Sequence, residues 1–292
     1  MTLIRYRAAL VLLLLVLAVP FSHAAQPGPL NILLTNDDGW DAVGIQTLKA
    51  ALEAAGHNVT LVAPSENRSG SGASLTLGPV PVNQQSANEY AVDGTPATCV
   101  FLGISGILGQ RPDLVVAGTN KGKNIGPELP FSGTVGAAVA ALRAGLPAVA
   151  VSTDPPVDDE TDPVFIQHFQ NVAAFTVRLI TRLQTSNPDP GLLPRRTALS
   201  VNYPPLLPQQ VQGVTVRVQG QAAPGLLTYQ EIVPGVFIPS VGPPPPGQQE
   251  VRGADGPAFE AGYVTIVPID GDYTANGSVL LTMAFVLIGL QP

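Results

Sequence analysis

The sequence predicts an α/β fold: a doubly wound, Rossmann-like, mostly parallel sheet that carries a Pro-rich extended β appendage. Three observations lead there. Short apolar runs, too brief for helices, alternate with stretches whose apolar residues recur at helical spacing, which is the pattern of strand–helix–strand units. Three of the short runs lead into polar, Gly-rich segments: 36–39, 65–72 and 119–126. After Tyr203 prolines crowd the chain, and the helical spacing stops.

The N-terminus comes before any of these elements. Arg5 and Arg7 precede the uncharged apolar stretch Ala8–Val19, and Pro20 leads into Ser22-His23-Ala24, with small residues at the two positions a signal peptidase inspects. Residues 1–24 read as a signal peptide cut near Ala24, and the mature protein as periplasmic or secreted. The apolar stretch is shorter than the roughly 20 residues that span a bilayer, so no stable membrane insertion is expected after cleavage. An anchor left uncleaved is the competing reading. A lipoprotein anchor is disfavoured because no Cys stands near the cleavage site.

Residues 25–203 read as the core. Leu30–Thr35 is the first buried strand. From Gly44 the residues Ile45, Leu48, Leu52 and Ala55 keep helical spacing, and Gly56 ends that helix. Asn58–Ala63 is the second strand; the unit is right-handed and brings both strand ends to one edge. Leu75–Gly78 and Tyr90–Val92 look like short strands of an excursion, and Thr98–Leu108 like a helix. Asp113–Gly118 is a strand, Ser132–Gly145 an Ala-rich helix, Ala148–Ser152 a strand, Asp162–Leu183 a helix and Ala198–Asn202 a strand. Residues 204–256 read as the extended β appendage, an oligomerisation arm, with Val214–Val218 alternating like a strand. Within 257–292, Tyr263–Val267 is a late strand, and the uncharged tail Val279–Leu290 is expected in the core or at a dimer contact.

Charge narrows the partners. Removing residues 1–24 takes two basic residues and no acid, so the formal charge moves from −7 to −9. Such a surface does not wrap a nucleic-acid polymer, which wants a basic stripe; a small phosphorylated substrate whose charge is met by a metal is compatible with it. Cys99 is the only cysteine, so no intramolecular disulfide forms. No Arg follows it closely enough to grip phosphate, and it reads as a small buried apolar residue. After cleavage only His57 and His168 remain, away from the polar segments, and the first of those segments has no Asp-x-Asp pair. This argues against the histidine and aspartyl-phosphate routes to phosphate chemistry.

The polar segments carry the candidate chemistry. Asp37 and Asp38 lie at the end of a buried strand, where two carboxylates are costly unless a cation neutralises them. Segments after parallel strands meet at one sheet edge, so Ser69 and Asn120 belong to the same region. Taken singly, Asp37-Asp38 also fits a turn and helix cap, and Ser69 and Asn120 fit turns. Ser132-Gly133-Thr134 opens a helix, where free N–H groups and two hydroxyls favour an anion; Ser132 also suits a helix cap. Asn36 and Asn124 flank the same place. The acidic loop Asp154–Asp162 reads as solvated, and Trp40 either stacks on a base or lines a rim.

The order and spacing of Asn36-Asp37-Asp38-Gly39, Arg68-Ser69-Gly70, Gly94-Thr95-Pro96, Gly118-Thr119-Asn120-Lys121-Gly122, Asn124-Ile125-Gly126 and Phe131-Ser132-Gly133-Thr134 resemble the SurE family. Val201-Asn202-Tyr203-Pro204, Gly262-Tyr263-Val264-Thr265-Ile266, Asp272 and Thr274 extend the likeness over roughly residues 30–275. That family comprises stationary-phase survival proteins, metal-dependent phosphatases of nucleoside monophosphates. The resemblance implies one divalent cation per subunit on Asp37, Asp38, Ser69 and Asn120, with Mg²⁺ or Mn²⁺ as the working ion and Ca²⁺ able to occupy the site. It implies phosphate held by Asn36, Asn124, Ser132, Gly133 and Thr134, catalysis through Asp37 or Asp38, and a homodimer or homotetramer with exchanged arms. Thr98 stands where the family usually has an acid and Phe131 where it has Tyr, and the export signal and apolar tail are also atypical. The alternative function is a non-catalytic exported nucleotide- or phosphate-binding protein that kept the site.

Overall fold

The computed structural model describes residues 28–186, 191–274 and 277–288. The segment expected to be cleaved, 1–24, lies outside them, as do residues 289 and 290 of the apolar tail.

The chain runs β1 (Asn31–Thr35), α1 (Val43–Ala54), β2 (Asn58–Pro64), β3 (Val82–Ser86), β4 (Glu89–Val92), α2 (Pro96–Leu102), β5 (Leu114–Lys121), α3 (Gly133–Arg143), β6 (Ala148–Thr153), α4 (Pro163–Ser186), β7 (Ala198–Tyr203), β8 (Gly213–Val216), β9 (Leu226–Val233), β10 (Val236–Gly242), α5 (Asp255–Glu260), β11 (Tyr263–Ile269) and α6 (Gly277–Val286). Nine strands form one sheet in the order β3-β4-β2-β1-β5-β6-β7-β11-β8, and β9 pairs with β10 apart from it. The pairings from β4 through β7 are parallel, while β3 and β11 run antiparallel to β4 and β7. The doubly wound, mostly parallel α/β architecture is as the alternation of runs predicts.

Both faces of the sheet are covered, which is why its strands are apolar without a break. Ile32 and Leu34 of β1 point to one face, where they join Ile45, Leu48 and Leu52 of α1 and Val172, Phe175 and Ile180 of α4. Leu33, between them, points to the other face, with Cys99 and Val100 of α2 and Val135, Ala137, Ala138 and Ala141 of α3. Cys99 is fully buried, and burial pushes its thiol far up from the ordinary value, so it is an inert core residue.

Several elements differ from expectation. Leu75–Gly78 forms no strand, and the edge strand is instead the polar, fully exposed Val82–Ser86. Its Asn and Gln residues carry no apolar alternation; pairing with β4 alone makes it a strand. The helix expected over Thr98–Leu108 begins earlier, where Thr95 Oγ1 caps the N–H of Thr98, and ends at Leu102 in a wider turn over Gly103–Ile107. The strand expected inside the arm is β8, and it joins the main sheet parallel to β11. The separate hairpin is thus β9–β10, turned at Pro234-Gly235 with Gly235 at φ +78°. The tail helix α6 has no buried residue, so its described part does not complete the core. Among the described residues no helix is long and apolar enough to cross a membrane.

Candidate active site

Three strand ends deliver the site. β1, β2 and β5 run in parallel register, so the segments that follow them emerge on one edge. The backbone N–H of Arg68 donates to Asp37 O (2.7 Å), and the N–H of Lys121 donates to Asp38 Oδ2 (3.0 Å). These two bonds fasten the second and third segments to the first. The register between β5 and β6 slips after Ala117 and resumes with Asn120 opposite Ser152. An irregularity of this kind bends the strand and re-aims the residues beyond it, here Asn120 and the turn behind it.

The N-terminus of α3 enters the same place from the other side. Ser132 caps the helix, accepting the N–H of Val135 on Oγ (3.1 Å). Thr134 Oγ1 donates to Asp37 Oδ1 (2.5 Å), and the N–H groups of Gly133 and Thr134 also favour that carboxylate. The helix end expected to meet phosphate therefore already faces an anion of the protein. A Cβ on Gly133 would lie 2.7 Å from both Asp37 Oδ2 and Ser71 Oγ, so only glycine lets the helix come this close.

The other expected residues are placed as follows. Asn36 is fully buried; its Nδ2 donates to Gly39 O (2.8 Å), and its Oδ1 is buried without a partner. Asn120 is buried, with Nδ2 on Gly122 O (2.6 Å), which leaves its carbonyl oxygen as the donor available to a cation. Asn124 gives Nδ2 to Ser152 Oγ (2.8 Å), so one amide N–H each of Asn36 and Asn124 is committed to the protein. Ser69 is exposed, next to the Arg68 that touches Asp37. Trp40 is partly buried and packs on the core beneath α1 and α4.

Sequence reasoning missed several neighbours. Ser71 Oγ is buried, unpartnered and beside Asp37; nothing in the motif separates it from a turn serine. Asn202, fully buried at the end of β7, grips the backbone of Asn124, accepting its N–H on Oδ1 (2.7 Å) and donating Nδ2 to its O (2.7 Å). The acidic loop is also more than a solvated one. Asp154 Oδ1 accepts the N–H of Lys123 (2.7 Å), and Glu160 pairs with Lys121 Nζ (3.0 Å). Glu160 lines a cavity of about 410 Å³ together with Asp38, Asp41, Asn67 and Lys121. A larger cavity of about 610 Å³, between α3 and the end of β11, is lined by Val135, Val139 and Ile269 and by none of these carboxylates.

Burial dominates the electrostatics. It raises the pKa of Asp37, and the Thr134 hydroxyl and nearby N–H groups oppose the rise. Burial also drives Asp38 up to about 7; the Lys121 N–H opposes this, and the charges of Asp37 and Glu160 add to it. Lys121 Nζ is committed to Glu160 and to Asp158 O (3.2 Å). Two adjacent carboxylates whose burial disfavours their charge, beside an amide oxygen and hydroxyls, fit a hard, oxygen-preferring cation. Among the described residues no three His, Cys, Asp or Glu gather into a group that could hold a metal ion, so a cation here would rest on the two carboxylates and on neutral oxygens such as that of Asn120. The two histidines among the described residues are structural: His57 Nδ1 accepts the Leu30 N–H (3.2 Å), and His168 Nε2 meets Thr153 Oγ1 (2.7 Å), with burial pushing its pKa down to about 4.

The chain is similar to known proteins over most of its length. A family model described as survival protein SurE matches residues 32–225. A 5'-nucleotidase SurE of Actinobacillus succinogenes is 38% identical over 86% of this chain and 96% of its own. A 5'-nucleotidase SurE of Stenotrophomonas maltophilia is 40% identical over 84% of this chain and 91% of its own. The crystal structure of the SurE protein from Aquifex aeolicus superposes with a TM-score of 0.71 at 32% identity, covering 88% of this chain and 99% of that one.

Proposed function

The chain belongs to the SurE family, and from that premise and the site just described we propose that it hydrolyses nucleoside monophosphates to nucleoside and phosphate, as a 5'- or 3'-nucleotidase. The observation that carries this reading is the adjacent pair at the end of β1, Asp37 buried and faced by the N-terminus of α3 and Asp38 half-buried beside it. One divalent cation, Mg²⁺ or Mn²⁺, would be held by Asp37, Asp38, Asn120 and Ser69, with Ser71 as a further nearby hydroxyl. When bound, such an ion acts as a Lewis acid toward a phosphoryl oxygen and lowers the pKa of a bound water.

The chain's own groups divide the remaining work. Thr134 and the N–H groups behind it orient Asp37. Asp38 has Oδ2 taken by the Lys121 N–H, which fixes the carboxylate's orientation and leaves Oδ1 to face the cation. Asn36, Asn124, Ser132, Gly133 and Thr134 border the space where phosphate would sit, with the helix dipole of α3 favouring its charge. The substrate is a small nucleotide, and the β9–β10 hairpin is the contact for a homodimer or homotetramer.

Phosphate release from nucleoside monophosphates, measured with and without EDTA and after return of Mn²⁺ or Mg²⁺, tests the reading. Cation-dependent turnover is expected; binding of nucleotide without release would identify a binding protein instead. Export rests on residues 5–24 alone. Mass spectrometry should find a mature N-terminus near Ala25 in the periplasm or medium, and an intact Met1 on cytosolic protein would refute it.

A further inference from the structure

The loop that carries Asn120 and Asn124 is tied to a distant part of the chain. We propose that Asp255, assisted by Gln219, is a positioning residue: it fastens this loop to the root of the β9–β10 arm, so that the cation affinity of the site depends on how the arm is anchored. The inference rests on the cation reading above.

Asp255 is fully buried at the start of α5. Its Oδ2 accepts the N–H of Gly126 (3.0 Å), and its Oδ1 accepts those of Gly220 (2.9 Å) and Gly256 (2.9 Å). Gln219 Nε2 donates to Gly126 O (2.9 Å). Both polar backbone groups of Gly126 are therefore held by residues about 90–130 positions later in the chain. Gly126 passes close to Gly220, where a Cβ on Gly126 would lie 3.5 Å from Gly220 O, and a Cβ on Gly220 would lie 2.9 Å from Glu250 Oε2 and 3.0 Å from Asp255 Oδ1.

The two ends of the arm close on the same carboxylate. The outgoing strand is pinned by Glu250 Oε1, which accepts the N–H groups of Gln221 (2.8 Å) and Val251 (2.8 Å). The Val218 N–H donates to Gly253 O (3.2 Å), and the Asp255 N–H donates to Val218 O (3.0 Å). A buried carboxylate fed by three N–H groups is a rigid joint, because removing any partner leaves a desolvated polar atom. From Gly126 the constraint runs back through Asn124, gripped by Asn202, to Asn120. Outer partners of this kind set how well a ligand oxygen is aimed at a metal.

Asp255→Asn separates this role from simple packing. An asparagine of the same shape has one acceptor oxygen, so it can keep Gly220 and Gly256 only by facing its NH₂ toward the Gly126 N–H. Gln219→Ala removes the second hold from an exposed position. The experiment is a Mn²⁺ titration by calorimetry of the full-length mature protein and both variants, with melting curves and kcat at saturating Mn²⁺. Expected are a Kd for Mn²⁺ raised about tenfold in Asp255→Asn and on the order of threefold in Gln219→Ala, with kcat at saturation close to the unaltered protein. Lower melting temperatures with an unmoved Kd would overturn the inference, and if Asp255→Asn does not fold, an unmoved Kd in Gln219→Ala overturns it alone. Absence of Mn²⁺ binding to the unaltered protein would overturn the functional reading as well.

Discussion

Asp38→Asn should make the metal-free protein more stable while removing its turnover. Burial moves the Asp38 carboxyl from its ordinary 3.8 to about 7. At about 1.4 kcal/mol per pKa unit this is an ionisation penalty of about 4 kcal/mol when the group is charged. Asp38 is only half-buried by surface area, and partial hydration reduces the figure to about 2 kcal/mol. Asparagine keeps an oxygen for the Lys121 N–H and loses the charge. For a chain of this size the gain corresponds to about 4–8 °C in melting temperature. The sign follows from a folded pKa above the unfolded one. The penalty on the aspartate is complete above pH 7, shrinks as the folded state takes up a proton, and is gone below about pH 4. Thermal melts in EDTA at pH 8 and pH 5 should therefore show Asp38→Asn well above the unaltered protein at pH 8, with the gap clearly narrowed at pH 5. Saturating Mn²⁺ should narrow or reverse the order at pH 8, since the ion stabilises the state that binds it. A variant that melts at or below the unaltered protein in EDTA at pH 8, or a gap independent of pH, would refute the reasoning.

Three further predictions concern other parts of the molecule. Thr134→Val leaves Asp37 Oδ1 without its donor, and Ser132→Ala removes a helix cap of about 1 kcal/mol; together they should lower kcat/KM by the equivalent of about 1–3 kcal/mol, and unchanged kinetics would remove both from the site. His168 is held neutral with its pKa down at about 4, so its contribution is complete above pH 6.5 and falls as pH drops toward 4. Urea midpoints should show His168→Gln losing about 2 kcal/mol less than the unaltered protein over that window, and parallel curves would contradict it. Excising the hairpin between residues 224 and 244 should yield a folded monomer in sedimentation, and an oligomer of unaltered size would rule out the arm as the contact.

The sequence by itself determined the layers and the edge on which the site lies. Runs such as Ile32–Leu34 and Ala148–Val151 are apolar without a break because helices cover both faces, and that pattern survives in one dimension. The placing of Asp37, Asp38 and Asn120 was legible because polar residues at the ends of such strands meet at the sheet's edge, and that of Thr134 because it opens a helix. Other features were settled only by tertiary structure. Val82–Ser86 is a strand through its pairing with β4, and β8 belongs to the main sheet through β11; neither residue run announces its partner. Ser71, Asn202 and Asp255 look locally like turn, strand and helix-start residues. Asn202 and Asp255 gain their roles from hydrogen bonds 78 and 129 positions away and Ser71 from lying beside Asp37, and such meetings depend on which loops the fold brings together. Local sequence fixes conformation and periodicity; only the folded chain decides which buried polar atoms find one another.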